Sequence, residues 1–135
     1  MSSNANTDVI TRFITEVWNG NHLDALDAFL APAYYDYTYE PRNREGLERA
    51  LLLMQTAFPA HETMIEEIVG EGDTVAVCLT LRGTHTGPFR GMPASGKSFA
   101  IGGYRFYKLS NGKITSHRGL LDLPSLLQQI GANNY

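Results

Sequence analysis

A change of period near residue 60 constrains this chain more than any other feature. Before it, apolar residues recur every three to four positions. Val9, Ile10, Phe13, Ile14, Val17 and Trp18 form one helical stripe. Leu23, Leu26, Phe29 and Leu30 form a shorter one that ends at Ala31-Pro32. Leu47, Ala50, Leu51, Met54 and Phe58 form a third, stopped by Pro59. After it the period falls toward two, and 63–69, 74–82, 99–108 and 113–121 read as strands. Glu71-Gly72-Asp73 and Ser110-Asn111-Gly112 supply tight turns. Residues 83–97, rich in Gly and Pro, read as a long hairpin loop, and one further strand, 34–39, lies among the helices. Pro124 opens a last helix that Gly131 ends.

Runs of helix followed by runs of strand argue an α+β fold. Four strands in hairpin order make a twisted sheet with one dry face, which the amphipathic helices must cover. A strongly curved sheet closed by helices is a cone with an interior cavity, the usual place for a small ligand. The 135 residues suit one domain, expected over 7–135 behind a disordered tail at 1–6.

Composition excludes several function classes. A net charge of −3 gives no general pull toward nucleic acid or an anionic membrane. No apolar run reaches bilayer-spanning length, and the polar N-terminal segment lacks a signal-peptide core, so the cytoplasm is the expected location. The lone Cys78 cannot form an internal disulfide. The four histidines show no metal-ligand spacing, and neither metal nor cofactor is expected.

Gly91-Met-Pro-Ala-Ser-Gly96-Lys97-Ser98 matches the G-x-x-x-x-G-K-[ST] phosphate-loop pattern. That pattern needs a buried strand before it and a helix after it, whose N-terminus holds the phosphates. Here loop-like Gly87-Pro88-Phe89-Arg90 precedes it and β-rich Phe99 to Tyr107 follows. Pro93 also removes a backbone donor from the cradle. Nucleotide binding is therefore rejected.

Gly83-Thr-His-Thr-Gly-x-Phe-x-Gly-x-Pro-Ala-Ser-Gly-Lys97 resembles the central hairpin of the SnoaL-like polyketide cyclases, of the nuclear transport factor 2-like superfamily. Phe13-x-x-x-Val17-Trp18-Asn19, Phe58-Pro59, Glu71-Gly-Asp, and Gly112-Lys-Ile114-x-x-His117 through Asp122 to Gly131 resemble other parts of that family. The resemblance implies a cone-shaped barrel of curved, largely antiparallel sheet under three to four helices. It also implies a homodimer or homotetramer and a pocket without metal or cofactor. The implied activity is ring closure by intramolecular aldol condensation, with an acidic side chain as acid/base. The matching acid is Asp122. A family histidine also takes part, with His85 and His117 as candidates. Two departures stand out: Tyr37 follows Asp36 where relatives often have His, and Arg118 stands where Trp is common.

Asp122 ends the last strand, where it can take a C–H proton beside a carbonyl and return one to the new alkoxide. An Asp before Leu123-Pro124-Ser125 is equally a natural helix cap. Arg118 shares a strand face with Leu120 and Asp122, and His117 lies on the opposite face. Arg118 is a second pocket candidate only if that face turns inward. Tyr37 and Tyr104 are the tyrosines expected to line the pocket. The expected function is therefore a cofactor-free cyclase- or isomerase-like enzyme acting on an apolar or polyketide-like small molecule. Alternatives are a non-catalytic binding module for an apolar metabolite, and an epoxide hydrolase- or dehydratase-like activity in the same pocket.

Overall fold

The computed structural model describes residues 2–131. Helix α1 (Ser2–Phe13) runs on into a wider π-type turn, Ile14–Asn19. A single-turn segment (Leu23–Ala25) leads to the short α2 (Leu26–Phe29) and strand β1 (Leu30–Asp36). Helix α3 (Arg44–Ala57) precedes the strands β2 (Glu62–Glu71), β3 (Thr74–Thr84), β4 (Ser98–Ser110) and β5 (Lys113–Leu121), and α4 (Leu123–Gln129) closes the chain. The α+β expectation and the four-strand meander hold.

Two boundaries differ from the sequence reading. Residues 1–6 were expected as a disordered tail, yet α1 begins at Ser2, and the Asn6 amide donates to the Gly72 carbonyl at 3.1 Å. Met1 lies outside the described residues. The first strand runs over 30–36 instead of 34–39, because the chain turns sharply after Asp36. The Asp36 carboxylate stabilises that turn by accepting from the Thr38 and Tyr39 amides at 2.9 and 3.0 Å.

All five strands form one sheet in the order β1-β5-β4-β3-β2. The pairs β2–β3, β3–β4 and β4–β5 are antiparallel, and β1 joins the far edge parallel to β5. Asn111 and Gly112 both take positive φ in the β4–β5 turn, as a two-residue hairpin of this hand requires. Pairing shifts by one residue between Lys108 and Leu109, which leaves Thr115 as an extra residue on β5. Ile114 and His117, three apart, are consequently both buried.

One sheet face is dry. β3 supplies Val75, Val77, Leu79 and Leu81, and β4 supplies Phe99, Ile101, Tyr107 and Leu109. Helices α1 and α3 lay Ile10, Phe13, Leu47 and Leu51 over this face, and α4 adds Leu126, with Ile130 just past its end. Each such side chain gains roughly 1.5–3 kcal/mol on leaving water. After residues 91–97 the chain enters β4, not a helix, which agrees with rejecting a phosphate loop. Among the described residues no helix is long and apolar enough to cross a membrane.

Candidate functional site

Between the dry face and the helices lies a half-enclosed cavity of about 380 Å³. Leu53, Met54 and Phe58 of the α3 region, Leu81 of β3, and Leu121, Leu123 and Leu126 near α4 make its apolar wall. One end is polar, where Thr38, Tyr39, Trp18 and Arg105 meet.

Arg105 occupies an inward position of β4, between Gly103 and Tyr107 on an otherwise apolar face, and is only 5% exposed. Its Nη1 donates to the Tyr39 hydroxyl at 3.1 Å and to His117 Nε2 at 3.0 Å. Its guanidinium lies over the Trp18 ring at 4.6 Å. Gly119, directly opposite on β5, makes room: a Cβ there would sit 2.7 Å from His117 Nε2 and 3.2 Å from Arg105 Nη1. Burial works against the Arg105 charge, but the surrounding Tyr39 and Tyr107 phenols favour it more, and its pKa rises. A guanidinium stays protonated in any case.

Behind Arg105 the polar chain continues into the core. His117 Nδ1 shares a bond between both Asp36 oxygens at 3.3 Å, and Tyr34 donates its hydroxyl to Asp36 Oδ2 at 2.6 Å. Asp36 is fully buried and His117 nearly so. Burial pushes the His117 pKa down, against the pull of Asp36. Burial raises Asp36, but the bonds from His117, Tyr34 and Thr38 outweigh it, and its pKa falls. A neutral imidazole therefore donates from Nδ1 to an ionised Asp36 and accepts at Nε2 from Arg105. The chain holds Arg105 in place and can present a fixed cation to the cavity.

The residues expected from sequence fall elsewhere in part. Asp122 is exposed and caps α4: its carboxylate accepts from the Ser125 amide at 3.2 Å and the Ser125 hydroxyl at 2.7 Å. Its neighbours Leu121 and Leu123 line the cavity, whereas Asp122 lines a separate, more open hollow of about 510 Å³ beside Gly102, Tyr104 and Pro124. Arg118 points outward and stacks on Tyr37 at 3.6 Å. Tyr37 and Tyr104 stand 40% and 65% exposed, so neither lines the cavity. Alternation decides both strand positions: Arg105 and His117 face in, so Tyr104 and Arg118 face out. His85, the other candidate for the family histidine, is fully buried beneath the 85–97 loop and does not line the cavity, with Nδ1 accepting from the Ser95 amide at 3.1 Å. His117, read as a structural, surface or interface residue opposite Arg118, is buried and is the one candidate close to the cavity floor.

Sequence reasoning missed Arg105, Tyr39 and the Asp36–His117 pair. A usable signal existed for Arg105. Counting by two from Phe99 gives Phe, Ile, Gly, Arg, Tyr, Leu, a lone cation on a dry face.

The sheet's outer face carries a second, open hollow of about 420 Å³, bordered by Val69, Tyr104, Phe106, Arg118 and Leu120. Of the buried polar chain, only Arg105 reaches its border. Among the described residues no group of three or more His, Cys, Asp and Glu could hold a metal ion.

Comparison with known proteins places this geometry. The model of the SnoaL-like polyketide cyclase family matches residues 8–130. Two aklanonic acid methyl ester cyclases, DauD of Streptomyces sp. strain C5 and DnrD of Streptomyces peucetius, are each 30% identical over 131 residues. These alignments cover 92% of this chain with 80% of DauD and 89% of DnrD. The structure of TsrD from Streptomyces laurentii superposes with a TM-score of 0.84 at 27% identity, over 96% of both chains.

Proposed function

Because the chain belongs to the SnoaL-like polyketide cyclase family, we propose that it is a cofactor-free enzyme of the cyclase or isomerase kind, acting on an enolisable carbonyl compound in the interior cavity. The observation that carries this reading is the cavity itself: apolar walls sized for a small ring system, with hydrogen-bond donors gathered at one end. The names of DauD and DnrD point to polyketide-like substrates for those two proteins, and the same class is the first to try here.

In an aldol closure, a base removes the C–H proton beside one carbonyl, and the resulting enolate attacks the second. The new alkoxide then takes a proton. Asp122 is the acid/base that the family pattern suggests. Its outward, capping position is a specific reason to keep the binding module as the second reading. Aklanonic acid methyl ester and simpler 1,5-diketones, incubated with the protein and followed by chromatography, test the proposal. Ring-closed product, lost in Asp122→Asn, supports the enzyme with Asp122 as its acid/base. Full activity in that variant removes Asp122 from the chemistry. A bound ligand recovered unchanged after long incubation favours the binding module.

We also place the expected homodimer on the outer sheet face, where Val69, Tyr104, Phe106 and Leu120 are exposed together.

A further inference from the structure

Arg105 is a buried cation with an unused edge. It is 5% exposed and makes no ion pair among the described residues. Asp36 lies beyond it, reached only through His117. Glu40, the carboxylate on the cavity rim, is 74% exposed and accepts from Arg42 at 2.9 Å. Two further arginines, Arg49 and Arg90, stand on the same rim. A buried charge without a counter-charge costs several kcal/mol, so an anion entering this cavity meets a cation that is already desolvated and fixed.

The orientation of the guanidinium narrows the ligand. Nη1 is committed to Tyr39 and His117. Nε and Nη2 make no hydrogen bond within the described residues. They are also absent from the set of fully sealed, unpartnered polar atoms, which comprises Trp18 Nε1, His61 Nδ1, His85 Nε2 and the Tyr107 hydroxyl. Both atoms therefore keep some exposure; Arg105 borders the outer hollow as well as the interior cavity, but the Trp18 ring and Tyr39 hydroxyl that its guanidinium meets line the interior cavity. Two parallel N–H donors on one edge of a guanidinium match the two oxygens of a carboxylate.

We infer that Arg105 is a preformed carboxylate receptor: the cavity takes a small, mostly apolar ligand that bears a carboxylate, and Arg105 grips it through Nε and Nη2. Tyr39, His117 and Asp36 act as positioning residues that keep this edge turned to the ligand. The inference rests on the cavity being the ligand site, as in the proposed function, but not on any chemistry occurring there.

Trp18 is the only tryptophan, lines the cavity and lies beneath Arg105, so its fluorescence reports occupancy. The probes are anthraquinone-2-carboxylate and its methyl ester, titrated into the protein. The expected result is tighter binding of the acid by about tenfold or more, the scale of one charge-assisted hydrogen bond. Arg105→Gln removes that preference while ester affinity stays within about threefold, and Arg105→Lys, which keeps the charge without the fork, retains part of it. If Arg105→Gln does not fold, the wild-type preference and its narrowing in Arg105→Lys decide. Equal binding of acid and ester, or an acid preference that survives Arg105→Gln, overturns the inference and leaves the cavity reading intact. If neither probe affects Trp18, both the inference and the cavity reading are overturned. An acid preference without turnover of any enolisable compound leaves the inference standing and removes the enzyme.

Discussion

His117 and Asp36 tie the cavity floor to the acid stability of the protein. His117 faces Asp36, Arg105, Tyr39 and Tyr107, and its folded pKa lies below the ordinary imidazole value. An unfolded chain therefore takes up a proton near pH 6.5 that the native protein refuses. Stability is full above that pH and declines as the pH drops below it. The limit for one such proton is about 1.4 kcal/mol per pH unit. Asp36 adds a second decline in the same direction, below its unfolded pKa near 3.9, because its folded pKa is depressed. His61, also buried and shifted down, contributes with the same sign as His117. Thermal melts from pH 7 to 5 should thus show a falling Tm, and His117→Gln should flatten the slope. An unchanged slope in that variant would show that His117 titrates alike in the native and unfolded states.

At the scale of elements, α4 is pinned at both ends. Asp122 caps its start, and Gln129 near its end brackets Ala100, accepting from the amide at 2.8 Å and donating to the carbonyl at 3.1 Å. These bonds satisfy β4 beyond the last residue of β5. Asp122→Ala should cost about 1 kcal/mol in urea melts, whereas Asp122→Asn should cost almost nothing, since Asn caps as well as Asp. Gln129→Ala should cost about 1 kcal/mol. Cap and strand periods were legible in the sequence because they are local: Pro124, Gly131 and Asn111-Gly112 act on their own neighbours. The site was less so. Asp36 and His117 are 81 positions apart and meet only because β1 adds parallel to β5, a pairing that no local pattern announces. Tyr37 and Tyr104 were chosen by residue type, and the pleat places residues by parity. Arg105 was legible by parity alone.

For the whole molecule, the outer sheet face is the exposed apolar surface. Leu120 is 76% exposed opposite Tyr104, and Phe106 pairs with Arg118 beside it. A second copy seated there would cover a patch too apolar for an ordinary exposed sheet. Light scattering coupled to gel filtration should give a dimer for the native chain and a monomer for Leu120→Glu, with Trp18 still reporting ligand. A native monomer would remove this interface.

The extra residue at Thr115 has a consequence for how the family can change length. The pairing of Lys108 with Ser116 and of Leu109 with Ile114 already skips Thr115, so losing it would close the ladder without turning any side chain over. Losing a residue further along, between Ser116 and Leu121, would exchange the two faces of everything beyond the gap. Strand β5 thus has one address at which a deletion is silent, and past it the cavity side and the outer side are locked to each other.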